Sequence, residues 1–159
     1  MRLPTNLLTS LVAVAWVGSL WSVGLLVAPT LFAGLDHDRA LAGSLVGKLF
    51  ERQALLGASC GFLLLGLAAV SGNEARRGGW TIVAMLALLG VRMLLIAPAI
   101  AELRSAGAVT SSSFAVWHGA SVALYLIECT LGGLLIVQLR RGGAQSGGNR
   151  SRGLSWSGR

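Results

Sequence analysis

The chain alternates between long apolar stretches and short polar ones, and this pattern predicts its helices. Four apolar stretches cover about residues 7–35, 54–71, 80–101 and 115–139. Each approaches or exceeds the roughly 20 residues that cross a hydrocarbon core about 30 Å thick. Because a helix satisfies its own backbone hydrogen bonds where water is absent, the pattern predicts an all-α integral membrane protein built as a four-helix bundle.

Two of the segments outside these four spans have a distinctive sequence pattern. In the first, residues 36–53, leucines recur at helical spacing among charged residues. We expect an interfacial amphipathic helix here, between spans 1 and 2, with Asp36 or Asp38 capping its start. The second segment, residues 140–159, is rich in Gly, Ser and Arg. Such a composition predicts a disordered basic tail.

Two short sequences occur twice in the same order. "LLVAP" at Leu25–Pro29 returns as "LLIAP" at Leu94–Pro98, and "LLGAS" at Leu55–Ser59 returns as "WHGAS" at Trp117–Ser121. The repeat indicates either a duplication of one helical hairpin into a parallel pair, as in some transporters, or chance matches among residues common in membrane helices.

The composition identifies lipid as the main solvent of the chain. Of its 159 residues, 54% are hydrophobic and only 12% are charged, whereas soluble domains carry about 25% charged residues. The mean hydropathy is +0.72. The net charge of +7 comes from arginines at span ends and in the tail, so it indicates membrane topology and contact with anionic headgroups rather than nucleic-acid binding. The bilayer is therefore the predicted partner, and a homo-oligomer remains open.

Basic residues are distributed unequally between the two sides of the membrane. Four spans place the N-terminus, the loop 72–79 and the tail on one side, with Arg2, Arg76, Arg77, Arg140, Arg141, Arg150, Arg152 and Arg159. The other side has Arg39, Lys48, Arg52 and Arg104. Because cytoplasmic loops carry the excess of basic residues, we predict that both termini are cytoplasmic, in an inner or plasma membrane.

Arg92 and Glu128 are the charged residues furthest from any predicted interface. Each follows an interfacial residue, Trp80 or Val116, by twelve positions, which at about 1.5 Å per residue is a depth of roughly 18 Å. Neither side chain can snorkel to water from this depth. Since the two helices are adjacent and antiparallel, we predict that the residues form an ion pair. The pair either fixes helix register or belongs to a substrate or proton site.

Span 4 carries a polar stripe that ends at Glu128. His118, Ser121, Tyr125 and Glu128 are spaced 3, 4 and 3 residues apart, within an arc of about 80° on a helix. Ionisable side chains in membranes normally face the bundle interior, so we expect the stripe to point inward. No metal site is predicted, because zinc and copper need several ligands. No cofactor is predicted either, although His118 could be the axial ligand of a haem.

The chain also resembles a known family. The stretches "WVGSLWSVGLLVAPTLFAGL" (Trp16–Leu35), "AGSLVGKLF" (Ala42–Phe50) and "FAVWHGAS" (Phe114–Ser121) look like the transmembrane protein 205-like family, domain of unknown function 4149, over roughly residues 8–140. The resemblance implies a four-helix integral membrane protein and brings no established reaction.

Three functions remain open at this point. No Walker loop, H-E-x-x-H motif, paired carboxylates or Ser/His/Asp set is present, so nothing indicates an enzyme. The first hypothesis is a small transport or permeation module lined by Arg92 and Glu128. Because four helices enclose little space, its path is expected to form between protomers. The second is a membrane redox protein that binds haem or metal through His118. The third is an accessory or scaffold protein in which the ion pair only sets packing.

Overall fold

The structure is a computed structural model that describes residues 5–35, 37–71 and 76–152. Six α-helices and two π-helical segments follow one another in it. In chain order they are α1 (Thr5–Trp21), the first π segment (Ser22–Val27), α2 (Ala28–Gly34), α3 (Arg39–Ser71), α4 (Arg76–Val91), the second π segment (Arg92–Ile96), α5 (Ala97–Ser105) and α6 (Ser112–Arg152).

These helices form four spans that are long and apolar enough to cross a membrane. Spans 1 to 4 are Leu7–Gly34, Arg39–Val70, Gly78–Ser105 and Ser112–Arg141. In the bundle α1 packs against α3 and α6, and α4 also packs against α3 and α6. Each span therefore contacts its neighbours in sequence, and span 4 closes the ring against span 1. The predicted all-α four-helix bundle is confirmed, with the up-down-up-down order that short loops favour.

The tightest packing lies towards the end of the bundle where span 1 begins, here called the N-terminal end. Its buried cluster draws on all four spans and consists of Ala13, Trp16, Leu20, Leu64, Ile82, Met85, Tyr125, Cys129 and Leu135. Trp21 adds a hydrogen bond across this region, since its Nε1 donates to the Cys129 carbonyl over 3.2 Å. The N-terminal end of the bundle is therefore closed.

The outer surface of the bundle is apolar. Large hydrophobic side chains face away from the protein on every span, with exposed fractions as high as 88% for Val70 and 81% for Trp80. A soluble monomer rarely exposes apolar patches of more than a few hundred square ångströms. Lipid is the environment in which this surface carries no cost, so the protein is a multi-pass membrane protein.

The segment 36–53 differs from the expectation of a separate interfacial helix. From Arg39 onward it is continuous with span 2, and both belong to the single helix α3. The physical reason is that Glu51-Arg52-Gln53-Ala54 are all good helix formers, with no Gly or Pro at which the helix could end. The predicted cap is present at Asp38, whose Oδ1 accepts from the Leu41 N–H over 2.9 Å. Asp36, the alternative cap, lies outside the described residues.

Helix α6 extends past the predicted end of span 4. It continues beyond Leu139 and ends at Arg152, so the helix covers the first part of the segment expected to be a tail. Residues 153–159 lie outside the described residues, and the disorder predicted for the tail stays a prediction.

Spans 1 and 3 share an irregularity at the repeated sequence. In each span a π segment immediately precedes an Ala-Pro pair, Ala28-Pro29 in span 1 and Ala97-Pro98 in span 3. Proline has no N–H, and its ring clashes with the carbonyl four residues earlier, so a helix that contains it must widen or bend. The sequence repeat therefore coincides with a structural repeat, as two related hairpins would produce.

Candidate functional site

An ion pair lies at the centre of the bundle. Arg92 Nη1 donates to Glu128 Oε2 over 2.7 Å, and the two side chains are 4% and 0% exposed. Arg92 is the first residue of the second π segment and Glu128 lies on α6, so the pair joins spans 3 and 4. The contact predicted from their matched depth is present. Because two charges are removed from water here, the pair stabilises the bundle only if its other interactions are favourable too.

Two aromatic rings hold the guanidinium group of Arg92. Its Cζ atom lies 5.0 Å from the ring centroid of Tyr125 and 5.7 Å from that of Phe50. The two rings meet edge to face, with centroids 5.2 Å apart and planes at 83°. Cation–π attraction is strongest where water is excluded, so the rings offset part of the lost hydration. Arg92 is thereby fixed between α3 and α6.

Tyr125 is positioned by span 1. Its hydroxyl donates a hydrogen bond to the Leu20 carbonyl. Its ring lies against Gly24 in the first π segment, at a place where a Cβ atom would overlap it. A glycine is required here because only a residue without a side chain lets the ring approach the backbone this closely. Span 1 therefore supports the ring on which Arg92 rests.

Each span contributes one buried side chain with unpaired polar atoms. Within the described residues, the buried side-chain atoms that lack a hydrogen-bond partner are Trp16 Nε1, both amide atoms of Gln53, Arg92 Nη2 and Glu128 Oε1. A buried polar group without a partner costs about 1–3 kcal/mol, and native interiors contain few of them. One such residue comes from each of the four spans, and such groups usually have partners in native interiors.

Contacts between the spans place these side chains at neighbouring levels. Phe50 contacts the Arg92 guanidinium, and Gln53 follows Phe50 by about one helical turn. One turn further along α3, a Cβ atom at Gly57 would lie 2.7 Å from Trp16 Nε1. The unpaired groups of Gln53 and Trp16 therefore lie at successive levels along α3, counted from the Phe50 ring that contacts Arg92.

A partly open cavity of about 840 Å³, here called the vestibule, lies beside Arg92. Its lining residues are Gly24, Leu25, Ala28, Pro29, Phe32, Val46, Gly47, Phe50, Glu51, Arg92, Met93, Ala97, Pro98, Ile100, Ala101, Arg104, His118, Ser121, Val122, Tyr125 and Leu126. On every span they run from the middle of the helix towards the end opposite the N-terminal end. Arg92 forms part of this surface, whereas Glu128 lies behind it.

Both π segments border the vestibule. The first contributes Gly24 and Leu25, and the second contributes Arg92 and Met93. π-Helical turns are frequent at functional sites because the wider turn changes the direction of the side chains that follow. The two copies of the Leu-Leu-x-Ala-Pro sequence therefore lie at one cavity, on opposite sides of the bundle.

The polar stripe of span 4 is divided between the vestibule and the interior. His118, Ser121 and Tyr125 line the vestibule, and Glu128 is fully buried. His118 is exposed, and its ring stacks on Phe114 with centroids 5.8 Å apart and planes at 4°. In the part of the chain that the structure describes, no three His, Cys, Asp or Glu side chains are placed to hold a metal ion.

Sequence reasoning missed three residues of the site. Trp16 was counted only as an apolar residue of span 1. Phe50 and Gln53 were assigned to the interfacial helix predicted over residues 36–53. The signal that could have identified Gln53 is that residues 51–54 contain no Gly or Pro, so a helix that begins near Arg39 has no residue at which to end before span 2. Extending span 2 in the N-terminal direction would have placed Phe50 and Gln53 inside the membrane, at the level of Arg92.

Comparisons with known proteins identify a family without a known activity. The family model described as a domain of unknown function (DUF4149) matches residues 11–109. This range includes the first two stretches on which the resemblance rested and excludes the third, at Phe114–Ser121. No curated protein and no solved structure matches the chain.

Proposed function

The chain belongs to the DUF4149 family, and we propose that it is a small transport or permeation module whose vestibule leads a solute to the Arg92–Glu128 pair. The observation that carries this proposal is the position of Arg92, which is both a surface residue of the vestibule and a member of the buried pair. Ionisable residues at membrane depth commonly mark substrate or ion pathways.

The arrangement of the bundle supports a site that is open towards one side. The vestibule occupies the half opposite the N-terminal end, and the packed cluster around Trp16, Leu20 and Leu135 closes the other half. A solute that reached Arg92 would need a rearrangement of the spans to leave on the second side. The π segments in spans 1 and 3 are the places where such a rearrangement would start, since their wide turns can revert to α-helix.

The orientation of the protein and the extent of its family likeness are part of the proposal. With both termini in the cytoplasm, the vestibule would face the outside of an inner or plasma membrane. We further propose that the likeness to the transmembrane protein 205-like family extends through span 4. The vestibule lies within one chain, so transport would not depend on a path between protomers.

The test is uptake of chemically distinct solutes into liposomes that contain the purified protein. Radiolabelled phenylacetate, glucose and choline supply an anion, a neutral solute and a cation. The matched control is the double variant Arg92→Leu/Glu128→Leu, which removes the pair without leaving one charge unpaired. We expect faster uptake of at least one solute by the unchanged protein. Equal uptake of all three by the two proteins would contradict transport and favour the scaffold function.

A further inference from the structure

We propose that the vestibule binds an organic carboxylate together with one proton, with the carboxylate on Arg92 and the proton on Glu128. The inference names the substrate class of the transport module and rests on that proposed function for its physiological meaning. Its test, however, measures binding and does not require transport.

The group that an incoming solute meets is a hydrogen-bond donor. Arg92 lines the vestibule, and its Nη1 is engaged by Glu128 while its Nη2 has no hydrogen-bond partner among the described residues. A guanidinium group has only donors, and its planar fork matches the two oxygens of a carboxylate. Glu128, the acceptor of the pair, is 0% exposed and is not part of the vestibule surface. The member of the pair that lines the vestibule is 4% exposed and has only donors, so it favours an anion over a cation.

The walls of the vestibule select an apolar body for this anion. Leu25, Phe32, Met93, Val122 and Leu126 are among the side chains that line the vestibule, and all but Met93 are also more than 40% exposed. Small-molecule sites typically have volumes of about 300–1,000 Å³ and are mostly apolar with a few polar groups that fix orientation. A cavity of about 840 Å³ with one guanidinium group at its inner end has this character.

Charge balance couples the anion to a proton. The Arg92–Glu128 pair has no net charge, so a carboxylate that bound alone would leave one uncompensated negative charge in the middle of the membrane, which is costly. Arginine stays protonated in proteins, so Glu128 is the member of the pair that can take up a proton. When it does, the carboxyl group becomes neutral and Arg92 pairs with the bound carboxylate. The net charge of the site is zero before and after binding.

The geometry leaves an atom available for this proton. Glu128 Oε2 accepts from Arg92, whereas Glu128 Oε1 has no hydrogen-bond partner among the described residues. Protonation at Oε1 therefore breaks no existing hydrogen bond.

Other titratable and charged groups near the site do not substitute for Glu128. On its own helix Tyr125 and Cys129 adjoin Glu128, and on span 2 the uncharged Phe50 ring covers the Arg92 guanidinium with which Glu128 pairs. Towards the open part of the vestibule lie Glu51, Arg104 and His118. Glu51 and Arg104 have opposite charges, and Arg104 Nη1 also donates to the Gly43 carbonyl over 3.4 Å. His118 is the alternative proton acceptor, so the experiment must separate it from Glu128.

Calorimetry on the full-length protein in lipid nanodiscs tests the inference with phenylacetate as the probe. Titrations at pH 6.5, 7.5 and 8.5, in buffers of different ionisation enthalpy, give the affinity and the number of protons taken up. We expect close to one proton per bound phenylacetate and an affinity that falls by up to about tenfold for each rise of one pH unit. The neutral analogue 2-phenylethanol and the cation 2-phenylethylamine should bind at least about tenfold more weakly, since they lack the bidentate contact.

Two single variants assign the proton to its residue. Glu128→Gln keeps the size of the side chain but cannot take up the proton, so phenylacetate should bind without proton uptake and with little dependence on pH. His118→Gln should keep the proton uptake of the unchanged protein. Loss of proton uptake in His118→Gln but not in Glu128→Gln would overturn the assignment.

The calorimetric titrations of the unchanged protein test the inference even if a variant fails to fold. Binding of phenylacetate without proton uptake, tighter binding of 2-phenylethylamine, or no binding of phenylacetate would each overturn it. Failure here is distinguishable from failure of the transport proposal. Uptake of glucose or choline without anion binding would leave transport standing, and proton-linked binding without any uptake into liposomes would leave the site standing.

Discussion

Arg92 and Glu128 are almost fully buried, so each depends on the other for neutralisation. Their 2.7 Å contact is reinforced by the rings of Tyr125 and Phe50, which cover the guanidinium group. A buried ion pair often gives no more stability than apolar residues of the same volume. Stability alone therefore does not explain two charges in the core of a membrane protein, and the proposed solute and proton site would explain them.

The first residue-scale prediction concerns single and double removal of the pair. Arg92→Leu or Glu128→Leu leaves one buried charge without compensation, which generally costs about 3–5 kcal/mol, whereas replacing both can be nearly neutral. Thermal unfolding in detergent should show a large loss in each single variant and recovery of most of it in the double variant. Additive losses in the double variant would mean that the two charges do not depend on each other.

The second residue-scale prediction concerns the glycine beneath Tyr125. A Cβ atom at Gly24 overlaps the Tyr125 ring, whereas a Cβ atom at Gly18, also in span 1, meets nothing within 4 Å. Gly24→Ala should cost about 1–3 kcal/mol, because the ring must shift away from Arg92. Gly18→Ala should be neutral or stabilise the helix by up to about 1 kcal/mol. Thermal unfolding of both variants checks this, and equal effects would contradict the contact.

At the scale of the helices, the sequence predicted the spans and the ion pair but not the geometry between them. The pair was predictable because Arg92 and Glu128 are deep charges on adjacent antiparallel helices, and depth follows from counting residues. The continuity of α3 was missed, since its charged residues resembled those of an interfacial helix. The vestibule could not be predicted, because it depends on two π segments and on how far apart four helices stand, and hydrophobic periodicity records neither.

An element-scale prediction concerns the start of α3. The Asp38 carboxylate accepts from the Leu41 N–H over 2.9 Å and so caps a helix of 33 residues. Asp38→Ala should lower stability by about 0.5–2 kcal/mol, whereas Asp38→Asn should keep most of the cap, because an asparagine oxygen accepts the same hydrogen bond. Thermal unfolding of the two variants shows whether the hydrogen bond of the cap or the negative charge of Asp38 stabilises the helix. Equal losses in both would show that the negative charge matters rather than the hydrogen bond.

On the scale of the whole molecule, the two hairpins (spans 1 and 2, and spans 3 and 4) together form a closed end and an open end of the bundle. Towards the N-terminal end they pack into a closed core around Trp16 and Met85, and towards the other end they separate around the vestibule. The repeated Leu-Leu-x-Ala-Pro sequences lie where the closed half changes into the open half, because each places a π segment just before its proline. Spans 1 and 3 thus place equivalent π segments on opposite walls of one cavity, and the proposed transport would use them as the points at which the spans rearrange.

The last prediction tests which side of the membrane the vestibule faces. In a background without Cys60 and Cys129, single cysteines are introduced by Ser112→Cys at the start of α6 and by Ser121→Cys in the vestibule. A charged, membrane-impermeant thiol reagent should reach both from outside the cell, because both termini are predicted to be cytoplasmic. The matched control is Thr130→Cys on the same helix, which is exposed on the lipid side and should remain unlabelled.

Each outcome bears on a different part of the argument. Labelling of Ser112→Cys only from the cytoplasm would reverse the orientation inferred from the arginine distribution. If Ser112→Cys reacts from outside while Ser121→Cys reacts from neither side, the orientation holds, but water does not enter the vestibule. Reaction of Ser121→Cys from outside and its slowing by phenylacetate would connect the aqueous cavity to the anion at Arg92, since a bound ligand excludes the reagent from the same walls.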